Sequence, residues 1–155
     1  MIQIKKVLHP TDFSDNSREA LEYALAFSKW QSAEIVLLHV CEEVEYAPPE
    51  YYMDKDESVR QLKERSGAAL AALDKVAATH EDSGVQISTT IASGKPFDEI
   101  IKTAQDIGAD LIVLGTHGRT GLAHILIGST AEKVVRKASC PVLTVRSSSH
   151  KFSRP

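Results

Sequence analysis

Glycines cluster in one segment of the sequence, where their spacing could hold phosphate groups. Four of the eight glycines of the chain fall within the 16 positions from Gly115 to Thr130. Their spacing follows the pattern G-x2-G-x9-G-[S/T] at Gly115, Gly118, Gly128 and Ser129. Glycine lets a ligand approach the backbone where a Cβ would block it, and successive free amides in such a loop form an anion-binding concavity. The spacing predicts a phosphate site.

A helix is predicted directly after this segment, from about residue 130 to 137. Val134, Val135 and Ala138 recur there at helical spacing. The first amides of a helix lack partners and carry the positive end of its dipole. Ser129 and Thr130 add hydroxyl donors at the same point, so the loop and helix start together favour a bound polyphosphate.

Structural interpretations of the same residues stay open. Gly115 and Gly118 could only shape a turn between strand and helix, and Ser129 with Glu132 matches a capping box. Arg119 could pair with phosphate oxygens or remain a solvated loop charge. The complete spacing favours phosphate binding over any one of these roles.

Other nucleotide motifs are absent from the sequence. The first strand is followed by HPTDFS rather than G-x-G-x-x-G. Gly94-Lys95 does not complete a P-loop, because Thr89 replaces its first glycine and Pro96 replaces the Ser or Thr after the lysine. The third strand ends at Ala92 and Ser93 without an acceptor aspartate, which argues against a receiver domain.

The histidines are not spaced as metal ligands, since close pairs of the H-x3-H kind do not occur among them. We therefore predict no metal centre and no catalytic residue at His9, His39, His117 or His124. His39 is expected against the core, and His117 in a loop.

Short β-branched runs alternate with helical stretches along the chain, which predicts an α/β fold. We expect a doubly wound, Rossmann-like parallel sheet of five strands in the order 3-2-1-4-5, with helices on both faces. In such sheets ligands bind outside the carboxyl ends of the strands, where the strand order reverses. The predicted strands cover residues 4–8, 34–40, 85–91, 110–114 and 141–146.

Length and composition fit one domain, over residues 1–146, with a polar tail at 147–155. The chain has 155 residues, 43% of them hydrophobic, and a net charge of −3. That charge gives no basic footprint for nucleic acid, and no apolar run approaches the ~18–20 residues of a membrane helix. Cys41 and Cys140 are expected as buried thiols, which favours the cytoplasm. The acidic stretch 41–57 is predicted to be a connector, with partner docking as the alternative.

The segment DLIVLGTHGRTGLAHILIGSTAEKVVRKASCPVLTVR and the opening KKVLHPTDFSDNSREAL resemble the universal stress protein A family. The likeness extends to about Arg146, and the glycine spacing is that of the ATP-binding branch. The resemblance implies that Pro10, Thr11 and Asp12 hold the adenosine end and that the backbone at Val40 recognises the adenine edge.

The same resemblance implies that the glycines, Ser129 and the Thr130 amide hold the phosphates, often with Mg²⁺ or Mn²⁺. A carboxylate such as Asp12 can accept ribose hydrogen bonds, although capping of the first helix is its alternative role. The family resemblance further implies a homodimer through the last strand, at Val142–Val145. An ATP-binding regulatory module is the leading interpretation. A slow ATPase and a nucleotide-independent dimeric interaction protein are the alternatives.

Overall fold

Strands and helices alternate along the residues that the computed structural model describes, which are 2–42, 55–117 and 127–147. Within these ranges, a 3-10 turn at Glu81–Ser83 accompanies nine longer elements. They are β1 (Lys6–Pro10), α1 (Asp15–Gln31), β2 (Glu34–Cys41), α2 (Lys55–Ala78), β3 (Ile87–Ser93), α3 (Pro96–Ile107), β4 (Leu111–Gly115), α4 (Ser129–Lys137) and β5 (Val142–Val145).

The five strands form one parallel sheet in the order β3-β2-β1-β4-β5. This order confirms the predicted doubly wound topology. The strand order reverses at β1, which lies between β2 and β4. The carboxyl ends of β1 and β4 are therefore neighbours at one edge of the sheet, with Pro10 at the end of β1 and Gly115 at the end of β4.

Two strands begin two residues later than the sequence pattern indicates, and β4 and β5 begin one residue later. β1 was expected at residues 4–8 and β3 at 85–91, whereas pairing to β2 gives Lys6–Pro10 and Ile87–Ser93. Pro10 faces Leu38 in the β1–β2 register and is the last residue of its strand. A proline is tolerated there because the Thr11 amide, not that of residue 10, donates the hydrogen bond to Leu38 of β2. The residues after β1 that could contact a ligand therefore start at Thr11.

The sheet has a separate hydrophobic core on each face. Val7 of β1 joins the core under α1 and α2, and its neighbour Leu8 joins the core under α3 and α4. This alternation is the two-residue period of a strand covered on both sides. Helices on both faces are thus confirmed.

Apolar residues recur at helical spacing along the whole of α2, but only part of them is buried. Leu73 is fully buried, whereas Val59 is 53% exposed. The 24 residues of α2 span about 36 Å, while the seven residues of its neighbour β3 span about 23 Å. A helix of that length extends beyond the strand it covers, which accounts for the exposure of Val59 near its start. The exposed Val135 in α4 likewise departs from the predicted apolar face.

The ends of the helices follow local sequence signals. Ser14 is the N-cap of α1, and its hydroxyl accepts a 3.2 Å hydrogen bond from the Ser17 amide. Pro96 opens α3, and Gly108 ends it in a left-handed conformation with φ of 64°. Among the described residues, no helix is both long enough and apolar enough to cross a bilayer.

A single carboxylate joins the amino-terminal ends of two strands. Oδ2 of Asp110, just before β4, accepts hydrogen bonds from the amides of Lys5 (2.8 Å) and Lys6 (3.0 Å) at the start of β1. Hydrogen bonds to a charged acceptor are stronger than neutral ones. Asp110 therefore fixes the start of β1 beside β4.

We expect Asp110→Ala to lower the free energy of unfolding by about 1–2 kcal/mol, because two amides lose a charged acceptor. Urea denaturation followed by circular dichroism measures the change. Asp106→Ala, at an exposed position of α3, is the matched control and should change stability by less than about 0.5 kcal/mol. Equal effects of the two substitutions would contradict the role given to Asp110.

Candidate functional site

The candidate site lies at the carboxyl edge of the sheet, between the ends of β1 and β4. The loop from Thr11 to Ser14 follows β1, and Thr116 and His117 follow β4. α4 starts at Ser129 and is joined to this edge through Gly128, whose amide donates to the carbonyl oxygen of Thr116. This is the edge at which doubly wound sheets bind ligands.

Thr11 fixes the loop after β1 through nearly all of its polar groups. Its amide donates to the carbonyl oxygen of Leu38 at 2.8 Å, and its carbonyl oxygen accepts from Nδ1 of His39 at 2.8 Å. Its hydroxyl accepts from the Phe13 amide at 3.0 Å and lies 2.9 Å from the hydroxyl of Ser17. Since Ser17 donates its own hydroxyl proton to the Ser14 carbonyl oxygen, Thr11 is the donor of that last bond. The side chain of Thr11 is thus engaged in shaping the loop.

Phe13 adopts a backbone conformation that is unusual for its residue type. Its φ is 64°, in the left-handed region that non-glycine residues rarely enter. Its ring lies 4.7 Å from the ring of His39, centroid to centroid. The hydrogen bond from the Phe13 amide to Thr11 and this ring contact hold the turn in place. Backbone strain of this kind clusters at functional sites.

Asp12 is a charged acceptor within this loop. Its Oδ1 accepts from the Ser14 amide at 3.0 Å, so Asp12 holds the N-cap residue of α1 while Ser14 itself caps the helix. Burial disfavours its charge, but hydrogen bonds, chiefly from the Ser14 hydroxyl and the Ser14 amide, outweigh burial and lower the pKa of Asp12. An ionised carboxylate has about four acceptor positions, so Asp12 can accept further hydrogen bonds.

Val40 lies near the end of β2, opposite Ala92 of β3. Its side chain packs with Ala92 and Phe97 against the core under α3 and α4. The side chain is therefore directed to the face that carries α3 and α4, and the adjoining backbone lies at the carboxyl edge of the sheet.

Gly128 is a glycine because the backbone of Thr116 lies directly against it. Its amide donates to the Thr116 carbonyl oxygen at 2.6 Å, and an added Cβ would lie 3.0 Å from the same oxygen. Its φ is −70°, so close approach and not a left-handed backbone requires the glycine. The sequence-based expectation that Gly128 supplies a free amide is therefore wrong, because that amide is used to seat α4 on the end of β4.

Gly115 has a packing role at the other side of the edge. An added Cβ would lie 3.1 Å from the carbonyl oxygen of Asn16 and 3.3 Å from its carbonyl carbon. The first turn of α1 thus rests on the end of β4. This contact with a helix, rather than the shape of the following turn, is the structural reason for the glycine.

The first turn of α4 lacks a capping side chain. Gly128 is the N-cap, Ser129 is the first helical residue, and no side-chain cap bond is formed among the described residues. The capping box that Ser129 and Glu132 would form is thus not present. The Glu132 amide donates to the Gly128 carbonyl oxygen, so the amides of residues 129–131 precede the first intrahelical bond. These amides and the Ser129 hydroxyl are the donors that the site offers an anion.

Several predicted residues lie outside the described part of the chain. Gly118, Arg119 and His124 belong to residues 118–126, and most of the stretch 41–57 belongs to residues 43–54. Their roles remain predictions. The described end of that stretch, from Lys55, is the start of α2.

The sequence places His9 just after the first strand, whereas the structure places it within β1. Its ring is fully buried between β1 and β4, with Nδ1 2.8 Å from the carbonyl oxygen of Val113 and Nε2 without a partner among the described residues. Burial lowers its pKa to about 4, against smaller opposing effects of Val113, Ser17 and the charge of Asp12. The ring is therefore neutral at pH 7 and donates from Nδ1. A histidine directly after two buried apolar residues, Val7 and Leu8, was the available signal.

His117 is also buried, although it follows β4 in a loop as predicted. Its Nδ1 lies 3.0 Å from the hydroxyl of Thr116. His39 is half-buried and bonded to the loop after β1. Within residues 2–42, 55–117 and 127–147, no three His, Cys, Asp or Glu side chains are grouped so that they could hold a metal ion.

The family model and the most similar relatives place the chain in the same family. The family model described as "Universal stress protein family" matches residues 3–146. Universal stress protein MJ0577 of Methanocaldococcus jannaschii is 35% identical over 94% of this chain and 96% of its own length. The alignment with the solved structure of MJ0577 covers 98% of this chain and 100% of the MJ0577 chain, with 36% sequence identity and a TM-score of 0.80.

More distant solved structures share the fold. A universal stress protein in complex with cAMP covers 93% of this chain and 98% of that chain, with 23% identity and a TM-score of 0.67. The universal stress protein from Archaeoglobus fulgidus in complex with dAMP covers 93% and 98%, with 22% identity and a TM-score of 0.54.

The buried His9 predicts how stability depends on pH. With a folded pKa of about 4 and an ordinary value of 6.5, the unfolded chain binds the extra proton between these pH values. The contribution of His9 to the free energy of unfolding should therefore be fully present above pH 6.5. It should be lost as the pH falls from 6.5 to 4, which lowers the free energy of unfolding by about 3 kcal/mol. Urea denaturation at a series of pH values measures the loss.

The substitution His9→Gln should abolish that part of the pH dependence, whereas His80→Gln, two residues after the end of α2, should retain it. An unchanged pH profile in His9→Gln would show that another group titrates in this window.

Proposed function

We propose that this chain, which belongs to the universal stress protein family, binds ATP in the crevice between the ends of β1 and β4. The bound nucleotide would make it a regulatory module whose association with itself or with partners depends on ATP. The observation that carries the proposal is the uncapped first turn of α4, seated on β4 by Gly128.

The phosphates are proposed to bind at the start of α4. A helix N-terminus with unpaired amides and a positive dipole end favours an anion. The N-cap Gly128 presents no side chain in front of the amides of residues 129–131. The hydroxyl of Ser129, which is exposed, and that of Thr130 would add donors. We retain Gly118 and Arg119 as further phosphate contacts from the sequence, and Gly115 as the residue that brings α1 to this edge.

The adenosine end is proposed to bind beside the loop after β1. Asp12 would accept hydrogen bonds from the ribose hydroxyl groups, because its lowered pKa keeps it charged. The backbone of β2 near Val40 would contact the adenine edge. Pro10 and Thr11 would act by holding Asp12 in position, since the polar groups of Thr11 are already bonded within the loop.

The relatives support an adenine nucleotide as the ligand class. Two structural neighbours are described as complexes with cAMP and with dAMP, which share adenine and a phosphate. The residues of the phosphate end offer amides and hydroxyl groups, not a set of carboxylates. A divalent ion such as Mg²⁺ or Mn²⁺ would therefore be held mainly by the nucleotide and by water. The cytoplasm is the compartment that we propose for this function.

Gly128→Ala tests the proposal. The added methyl group would lie 3.0 Å from the Thr116 carbonyl oxygen, so α4 must shift. We expect ATP affinity to fall by about tenfold or more, equivalent to ~1.4 kcal/mol. Isothermal titration calorimetry with ATP, with and without Mg²⁺, measures the affinity. Gly67→Ala in α2 is the matched control, because nothing lies within 4 Å of its added Cβ.

A second, milder substitution tests the same phosphate site. Ser129→Ala removes one hydrogen-bond donor to a charged group and should cost roughly 1–2 kcal/mol of binding. No adenine nucleotide released on denaturation of the purified protein, together with no heat of ATP binding at millimolar concentration, would refute the proposal. Wild-type affinity in both Gly128→Ala and Ser129→Ala would locate the ligand elsewhere.

We also propose a homodimer through Val142–Val145. β5 is an edge strand that pairs only with β4 in the described sheet. The carbonyl oxygens of Pro141 and Val145 accept from β4 and the residue after it. Because alternate residues of a strand face opposite sides, the amides of Val142 and Thr144 face the open edge. An open edge is a surface for pairing with another strand.

Thr144→Pro should convert such a dimer to a monomer, because it removes an amide from the open edge and leaves the bonds to β4 intact. Thr144→Ala, which keeps the amide, is the control. Sedimentation velocity measures the mass of each form. A Thr144→Pro protein that remains dimeric would exclude pairing through this edge.

A further inference from the structure

The outward face of α1 carries an exposed aromatic stripe. Tyr23 is 50% exposed and Trp30 is 76% exposed, and the half-buried Phe27 lies between them in sequence. The rings of Phe27 and Trp30 meet edge to face, with their centroids 6.3 Å apart. Residues spaced by four and three positions share one side of a helix, so the three rings lie on the same side of α1.

This stripe is directed away from the core of the domain. The buried side chains of α1 occupy the opposite side of the helix and include Leu21, Ala24 and Leu25. Ala26 is exposed between Tyr23 and Trp30. A small residue at the centre of a helix face lets another helix approach closely. A tryptophan this exposed is unusual, and aromatic anchors of this kind mark interaction surfaces.

Charges flank the stripe in a definite order. Glu22 and Lys29 are both exposed and lie seven positions apart, which is two turns along the same side of the helix. If a second α1 lies antiparallel across the stripe, with the two-fold axis near Ala26, Lys29 of each copy comes opposite Glu22 of the other. The face is therefore complementary to itself in charge as well as in apolar surface.

We propose that this face of α1 binds a second copy of the same chain through an antiparallel pairing of the two α1 helices. A surface that is self-complementary about a two-fold axis is the requirement for an isologous interface. A partner of different sequence would not need the acidic and basic positions to be related by that axis. The interface is distinct from the open edge of β5 and from the nucleotide crevice, so it stands without the proposed function.

The proposal can be tested by fluorescence, because Trp30 is the only tryptophan of the chain and its emission therefore reports on this surface. Pairing through α1 buries Trp30, so its fluorescence emission should shift to shorter wavelength as the protein concentration rises. Pairing through β5 alone leaves Trp30 in water and gives no such shift. Sedimentation equilibrium on the same samples measures the mass of the assembly.

Tyr23→Glu keeps the reporter and introduces a charge into the stripe. We expect it to raise the dissociation constant of this pairing by roughly tenfold or more. Val59→Glu, at an exposed apolar position of α2, is the control and should leave the concentration-dependent shift unchanged. The absence of any shift in the wild-type protein up to millimolar concentration would overturn the proposal.

Charge reversal tests the antiparallel geometry. Glu22→Lys and Lys29→Glu should each weaken the pairing, and the double variant should restore it, because opposite charges again face each other. Glu22 also lies 3.6 Å from Nε2 of His80 within the chain, so His80→Ala serves as the control for loss of that contact. Failure of the double variant to recover pairing would overturn the antiparallel arrangement.

Discussion

The contact between Gly128 and the carbonyl oxygen of Thr116 determines how the candidate site is built. It joins the segment that follows β4 directly to the residue at which α4 begins, at 2.6 Å. The helix can approach the end of the strand this closely only because Gly128 has no side chain. The same absence leaves the first turn of α4 without a cap. One residue type thus both positions the helix and leaves its positive end open.

The opposite wall of the crevice depends on a loop that is fixed from several directions. Thr11 is held by Leu38, His39 and Ser17, and the left-handed backbone of Phe13 is maintained within that set of bonds. A strained turn persists only when its surroundings determine it fully. Asp12 is therefore presented on a rigid support, and rigidity lowers the entropic cost of binding.

The fold could be predicted from the sequence because its signals are local. Alternating strand and helix patterns determine a parallel sheet, and Ser14, Pro96 and Gly108 mark helix ends by their own chemistry. The glycine spacing from which the site is predicted is also a sequence property. The residue that each glycine contacts could not be predicted from the sequence. Gly128 meets Thr116 and Gly115 meets Asn16 only after the sheet is assembled, and neither contact leaves a trace in the spacing.

The hydrogen-bond partner of His9 and the strain at Phe13 could not be predicted, for the same reason. Both depend on residues far away in sequence, on Val113 for the histidine and on His39 for the phenylalanine. The ends of β1 and β3 were misjudged because strand limits follow from pairing with β2 rather than from composition. Sequence patterns therefore predicted the edge of the sheet at which to look, while tertiary contacts decide which polar groups at that edge are already bonded.

The seat of Asn16 on Gly115 links the crevice to the far end of α1. A helix is stiff, and α1 extends about 21 Å from Asn16 to Trp30. A side chain at position 115 would displace the first turn of α1. Because the helix is stiff, the whole of α1 would tilt, including its C-terminal end. Gly115 of β4 therefore determines the orientation of α1, and with it the position of the aromatic residues near the other end of that helix.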